Sequence, residues 1–277
     1  MAFSEVERTI VQKGSGPGAD AIGVTENHAA VIDGTTVSEP CDCCGDRAGI
    51  LAVEAVLEVI DSLAADADLS GFLGTIAETF TRRTWELECR GRAWVASAAM
   101  YSASRREVWL IGDSAALVDG SHHQQRKRID VVAAAFRSVV DRAALAGGAT
   151  IEELRSDDIG RTAIRPLLTR QRNFRNDLSA GDLAWGALAP EPTPIELCRV
   201  VEIPPRTGGQ DLVLASDGYP LLWNTLAESE AALAARIRSD PLMIGPEPET
   251  KGVEPAAASF DDRAYLRLRL TDSAARP

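Results

Sequence analysis

Residues 29–34 read Ala-Ala-Val-Ile-Asp-Gly, a short apolar run that delivers an aspartate and a glycine at its end. Other runs behave alike: VWLIGDS (108–114) reaches Asp113, DLVLASDG (211–218) reaches Asp217 and Gly218, and Asp261-Asp262 opens AYLRLRL (264–270). Short runs of this kind, bounded by turn residues, predict strands. An ionised carboxylate beside a buried strand end costs on the order of several kcal/mol unless it is paired, hydrogen-bonded or bound to a metal. Four such ends point to one shared site. The whole chain has three histidines, so the site offers mainly hard carboxylate oxygens, which suit Mg²⁺ or Mn²⁺.

Working outward, the opening stretch with Phe3, Val6, Thr9 and Val11 among charged residues reads as an edge strand. AIGVTE and AAVIDG form a hairpin about Glu26-Asn27-His28, with His28 as a turn residue. Helical spacing follows over 47–63 and 72–87. Residues 93–119 read as a three-stranded meander, and two helices follow at 129–146 and 150–170, the second opened by a Thr150/Glu153 capping box. The polar stretch 171–182 reads as irregular; LAWGAL, LCRVVEI and DLVLAS read as strands, and 226–238 as a helix. Pro241, Pro246, Pro248 and Pro255 mark 240–258 as a surface loop, and 271–277 reads as a flexible tail. Grouped strands, then helices, then strands imply an α+β fold of mainly antiparallel sheets flanked by helices in a single domain spanning 1–277.

The chain has 277 residues, 45% hydrophobic and 25% charged, ordinary for a globular protein. A net charge of -12 argues against a nucleic-acid partner, which requires a concentrated basic face. The compact basic run Arg126-Lys127-Arg128 reads as a solvated turn before a helix. Membrane-length apolar runs and a secretory leader pattern are not seen, which predicts a cytoplasmic chain without a membrane partner. Cys41, Cys43 and Cys44 crowd one loop but lack the spaced pairs of a zinc site, and five cysteines do not make a disulfide framework.

Taken in order, Asp20 in GADA, Asp33-Gly34 in VIDG, Gly112-Asp113-Ser114, Ser216-Asp217-Gly218 and Asp261-Asp262 resemble the motifs of the metal-dependent protein phosphatases of the protein phosphatase 2C type. The resemblance spans roughly residues 3–270 and implies a four-layer α-β-β-α sandwich with a dinuclear Mn²⁺ or Mg²⁺ site at one end. It implies that Asp33 bridges both ions, that the Gly34 carbonyl is a ligand, and that Asp217 and Asp261 hold one ion. Asp20 would act through water and Asp113 would serve a looser third ion, making Asp33, Asp217 and Asp20 the catalytic set. The chain departs from the pattern in several places: Gly18-Ala19 precede Asp20, Thr35-Thr36 follow the corner, Ala115 follows Ser114, and Lys13 stands nearest to where the family carries a phosphate-binding Arg.

The implied activity is hydrolysis of phosphoserine and phosphothreonine in a protein by a metal-activated water. The alternatives are a phosphorylated metabolite as substrate, or a phosphatase-like domain that binds without turnover. Asp33-Gly34-Thr35 also matches the end of the D-x-D-G-T motif of haloacid-dehalogenase-type phosphatases, but Val31 stands in the place of that nucleophile.

Overall fold

The computed structural model describes residues 3–14, 18–35, 44–45, 47–88 and 94–271. Ten strands are described: β1 (Phe3–Val11), β2 (Asp20–Val24), β3 (His28–Gly34), β4 (Ala96–Ser102), β5 (Glu107–Ile111), β6 (Ala115–Val118), β7 (Ser121–Gln124), β8 (Arg199–Glu202), β9 (Gln210–Ala215) and β10 (Arg263–Leu270). The helices are α1 (Ala48–Ser62), α2 (Leu69–Glu86), α3 (Arg128–Ala146), α4 (Ile151–Ser156), α5 (Ile159–Arg170) and α6 (Leu226–Ser239). The strands form two five-stranded sheets, ordered β1-β10-β9-β6-β7 and β2-β3-β4-β5-β8, and the ladders are antiparallel.

Alternation along each strand builds the layers. In β3, Ala29 and Val31 face the space between the sheets, while Ala30 and Ile32 face α1 and α2. Strand β9 divides likewise, with Leu212 and Leu214 toward the inter-sheet core and Val213 and Ala215 toward Leu233 of α6 and Tyr219. A central strand is therefore apolar on both faces, which is why β3 and β4 read as unbroken runs. Phe3 of β1 meets Tyr101 of β4 edge-on across the sheets, with ring centroids 5.6 Å apart. Helix α1 fills the outer layer with Ala52, Val53, Val56, Val59 and Ile60. Helix α2 starts where Asp68 accepts from Gly71 N–H at 2.8 Å.

The expected four-layer arrangement of helices outside two antiparallel sheets is what the structure shows, and several local readings are corrected. Residues 93–119 are not a meander, because the chain leaves one sheet at the end of β5 and enters the other at β6. The cause is Gly112, at φ 79°, a left-handed conformation that turns the backbone away from its own sheet. Strand β7 was hidden in the polar string SHHQ, which an edge strand tolerates. The helix expected over 150–170 is two, broken at Asp157-Asp158, where Asp158 accepts from Arg161 N–H at 2.6 Å and starts α5. LAWGAL is no strand; Leu188 makes one isolated bridge to Ala96. His28 is not in the turn but is the first residue of β3, wholly buried.

The 240–258 segment has no helix or strand, yet Leu242, Met243, Ile244 and Val253 are buried. The guanidinium of Arg137 in α3 donates to the carbonyls of Leu242 at 2.9 Å and Glu249 at 3.2 Å, which pins the segment. Residues 272–277 of the expected tail lie outside the described residues, as do Thr36, Cys41 and Cys43. Among the described residues no helix is long and apolar enough to cross a membrane.

Candidate metal centre

Register fixes where the aspartates emerge. Asp20 lies opposite Asp33 in the β2/β3 ladder, and Asp33 lies opposite Ser97 in β4. In the other sheet, Ala115 pairs with both Ala215 and Gln124, and Ala215 also pairs with Tyr265. The ends carrying Asp113, Asp217, Asp261 and the residue after β7 thus share one edge of the sandwich. Asp33 has the same strand parity as Val31, so its side chain leaves toward the inter-sheet space. Carboxylate oxygens of Asp33, Asp113 and Asp217, one each, lie within 4.8 Å of one another.

Several of the carboxylates are held from behind. A Cβ at position 112 would lie 2.3 Å from Ser97 Oγ, so glycine there lets the Ser97 hydroxyl approach and donate to Asp113 Oδ1 at 2.7 Å. Asp113 Oδ2 accepts from Lys127 Nζ at 2.6 Å, and the same ammonium lies 3.7 Å from Asp130 and 4.5 Å from the centroid of the Trp185 ring. The Ser216 hydroxyl donates to Asp20 Oδ2 at 2.7 Å and accepts from Ala264 N–H at 2.8 Å, so one side chain joins β2, β9 and β10. Gly34 is pressed against α1, where an added Cβ would lie 2.5 Å from the Gly49 carbonyl oxygen. Asp261 Oδ2 is in an ion pair with Lys251 Nζ, and Asp262 Oδ1 accepts from Lys13 N–H at 2.8 Å.

Electrostatics set the trio apart. Burial first, then repulsion from neighbouring aspartates, raises Asp33 and Asp217 well above the usual carboxylate range. Asp20 is pushed up to about 7, chiefly by burial, against the opposing bond from Ser216. Asp113 goes the other way: burial would raise it, but the charge and hydrogen bond of Lys127, with the Ser97 hydroxyl, hold it below the usual value. Two carboxylates about 5 Å apart repel by roughly 3 kcal/mol at an effective dielectric of about 20. Protons or a cation must therefore share this space. The donor set consists of hard oxygens on fixed backbones, all three side chains are only partly buried, and a divalent ion of the Mn²⁺ or Mg²⁺ type fits it.

Of the residues singled out in the sequence, Asp33, Asp113 and Asp217 come together, and Asp261 stands beside them in an ion pair with Lys251. Lys13 lines a neighbouring basic cavity. The reading of Arg126-Lys127-Arg128 as a solvated turn is wrong at its middle residue: Lys127 is 13% exposed and enclosed at the site, while Arg126 and Arg128 are exposed. Ser97, Lys127, Ser216 and Lys251 were missed. The strand parity of Ser97 opposite Asp33 was the signal available for the first; the lysines are placed by tertiary packing and carry no motif.

Neither a protein-family model nor a curated protein matches the chain. Among solved structures it is similar to the PPM Ser-Thr phosphatase MsPP from Mycobacterium smegmatis, at 18% identity over 96% of this chain and 97% of that one, TM-score 0.48. It is similar also to the catalytic domain of serine threonine protein phosphatase PstP in complex with two manganese ions, at 17% identity over 96% and 97%, TM-score 0.47. A third is RsbX in complex with magnesium, at 11% identity over 97% and 100%, TM-score 0.45.

Proposed function

We propose that the chain is a metal-dependent phosphomonoester hydrolase acting on phosphoserine and phosphothreonine in proteins. The observation that carries this reading is the meeting of Asp33, Asp113 and Asp217 from three strand ends and both sheets, with two of them forced above their ordinary protonation range. Asp113 and Asp261 are ion-paired with Lys127 and Lys251, while Asp20, Asp33 and Asp217 at the same end are raised by burial and by their mutual repulsion. Divalent ions would take the place of the protons that this crowding retains.

Asp33, Asp113 and Asp217 would hold the ions, joined by Asp261 and the Gly34 carbonyl. Bound there, Mn²⁺ or Mg²⁺ supplies a water of lowered pKa and a counter-charge for the phosphoryl oxygens. The remaining work belongs to the chain. Asp20, anchored through Oδ2 by Ser216, keeps Oδ1 for a proton near neutral pH, a value suited to passing protons to and from a water. Lys127 holds Asp113 ionised and aimed, and Ser97 fixes its second oxygen. Lys13, which the resemblance would have hold the substrate phosphate, lines the neighbouring basic cavity instead.

The test is Mn²⁺-dependent hydrolysis of p-nitrophenyl phosphate by the wild type and by Asp217→Asn. Loss of activity on the order of 100-fold or more is expected from removing a metal-holding carboxylate. Equal rates would leave a phosphate-binding domain without turnover. Phosphoserine and phosphothreonine peptides set against a panel of phosphometabolites test the substrate, and strong selectivity for one metabolite would overturn the protein-phosphatase reading.

A further inference from the structure

Beside the metal centre lies a second concave site of opposite charge. A cavity of about 210 Å³ opens between the α4–α5 region and residues 251–254, and its lining includes Lys13, Arg155, Arg161 and Lys251. In a chain of net charge -12 such a concentration of cations stands out, and what holds them matters more. Arg155 donates through Nε to the Val253 carbonyl at 2.8 Å and through Nη2 to that of Glu254 at 3.1 Å. Arg161 donates through Nη1 to the Thr250 carbonyl at 2.9 Å. Both guanidiniums are therefore fixed by neutral oxygens, which orient them without cancelling their charge. Among the described residues neither the Arg155 guanidinium nor the Lys13 ammonium is in an ion pair with a carboxylate, while Arg161 feels the charges of Asp158 and Asp130 without an ion pair to either.

The acids in the wall do not make up the difference. Asp158 is spent on the buried Arg137, which donates to it through Nε at 3.0 Å and Nη2 at 2.6 Å, and on the start of α5. Glu254 is exposed. A volume of about 210 Å³ is room for a tetrahedral oxyanion but below the roughly 300 Å³ at which drug-sized ligand pockets begin. Guanidinium forks with free N–H groups match phosphate oxygens.

We propose that this cavity binds a phosphate dianion, at a place distinct from the metal centre and linked to it by Lys251, a residue of the cavity wall whose ammonium pairs with Asp261. The phosphate is either free in solution or a second phosphoryl group on a substrate; the chemistry of recognition is the same. Binding of the free anion does not depend on hydrolysis at the metal centre.

The test uses the full chain in EDTA, titrated calorimetrically with inorganic phosphate at low salt. The wild type is expected to bind one phosphate, about 10-fold or more weakened in Arg155→Gln and in Lys13→Gln, since a charge-assisted hydrogen bond is worth roughly 1.5–3 kcal/mol, and unchanged in Asp217→Asn. Lys13→Gln removes no described side-chain hydrogen bond, so it keeps the test open if Arg155→Gln loosens the 250–254 segment. With Mn²⁺ present, the KM for singly and doubly phosphorylated peptides separates the sources. A lower KM for the doubly phosphorylated peptide, abolished by Arg155→Gln, assigns the site to substrate; equal KM values with phosphate binding retained assign it to the free anion. Absent phosphate binding in EDTA, binding unaffected by both variants, or binding lost with Asp217→Asn would overturn the proposal.

Discussion

At Gly112 a single hydrogen atom in place of a methyl group decides whether Asp113 is aimed. The residue sits at φ 79°, and its missing Cβ is the space that Ser97 Oγ occupies to donate to Asp113. Gly112→Ala is therefore expected to cost about 1–3 kcal/mol through backbone strain and loss of that bond. The measurement is a denaturant melt of the EDTA-treated protein; a midpoint unchanged within error would remove Gly112 from the account. Lys127 shows the opposite kind of residue, one whose neighbours in sequence say nothing. It belongs to a basic triplet, but only it turns inward, to lie on the Trp185 ring and pair with Asp113.

Between elements, the joint is Ser216. Its hydroxyl accepts from the β10 backbone and donates to Asp20 at the start of β2, so the two sheets are tied at the end where the carboxylates gather. Ser216→Ala should lower stability by about 1–3 kcal/mol, because it takes the hydroxyl acceptor from the buried Ala264 N–H and a donor from Asp20. The same bond lowers the Asp20 pKa, so its loss should raise that pKa above about 7 and move the acid limb of the hydrolysis rate to higher pH. A pH–rate profile superimposable on the wild type would contradict the role given to Asp20. Much at this scale was legible: the short apolar runs gave β3, β5, β9 and β10, and the helical spacing gave α1 and α2. The handover of the chain from β5 to β6 was not, because an apolar–turn–apolar string reads alike whether its strands pair or part, and only the positive φ at Gly112 separates the two. Strand β7 escaped because its residues are polar, and Lys251 escaped because nothing local marks a lysine that reaches Asp261. The aspartate positions were readable since a carboxylate at an apolar strand end demands a partner whatever the fold.

For the whole molecule, the acidic end couples folding to pH. The ordinary value for Asp20 is 3.8 and its folded value is about 7, so between these the folded chain holds a proton that the unfolded chain has lost. Stability of the metal-free protein should then fall as pH rises through that window, and the raised Asp33 and Asp217 extend the loss in the same direction. Divalent ions displace those protons, so their affinity should rise with pH. Melting the EDTA-treated protein between about pH 5 and about pH 8 should show a declining Tm that added Mn²⁺ restores; a Tm that rises over this range without metal would contradict the electrostatic account.

The most direct test of the central claim is the anomalous scattering of crystals grown with Mn²⁺. The account predicts two Mn²⁺ ions in contact with the carboxylates of Asp33, Asp113 and Asp217, and their loss in Asp217→Asn. Manganese bound only elsewhere on the chain, or none at millimolar Mn²⁺ with the three carboxylates still gathered, would contradict it.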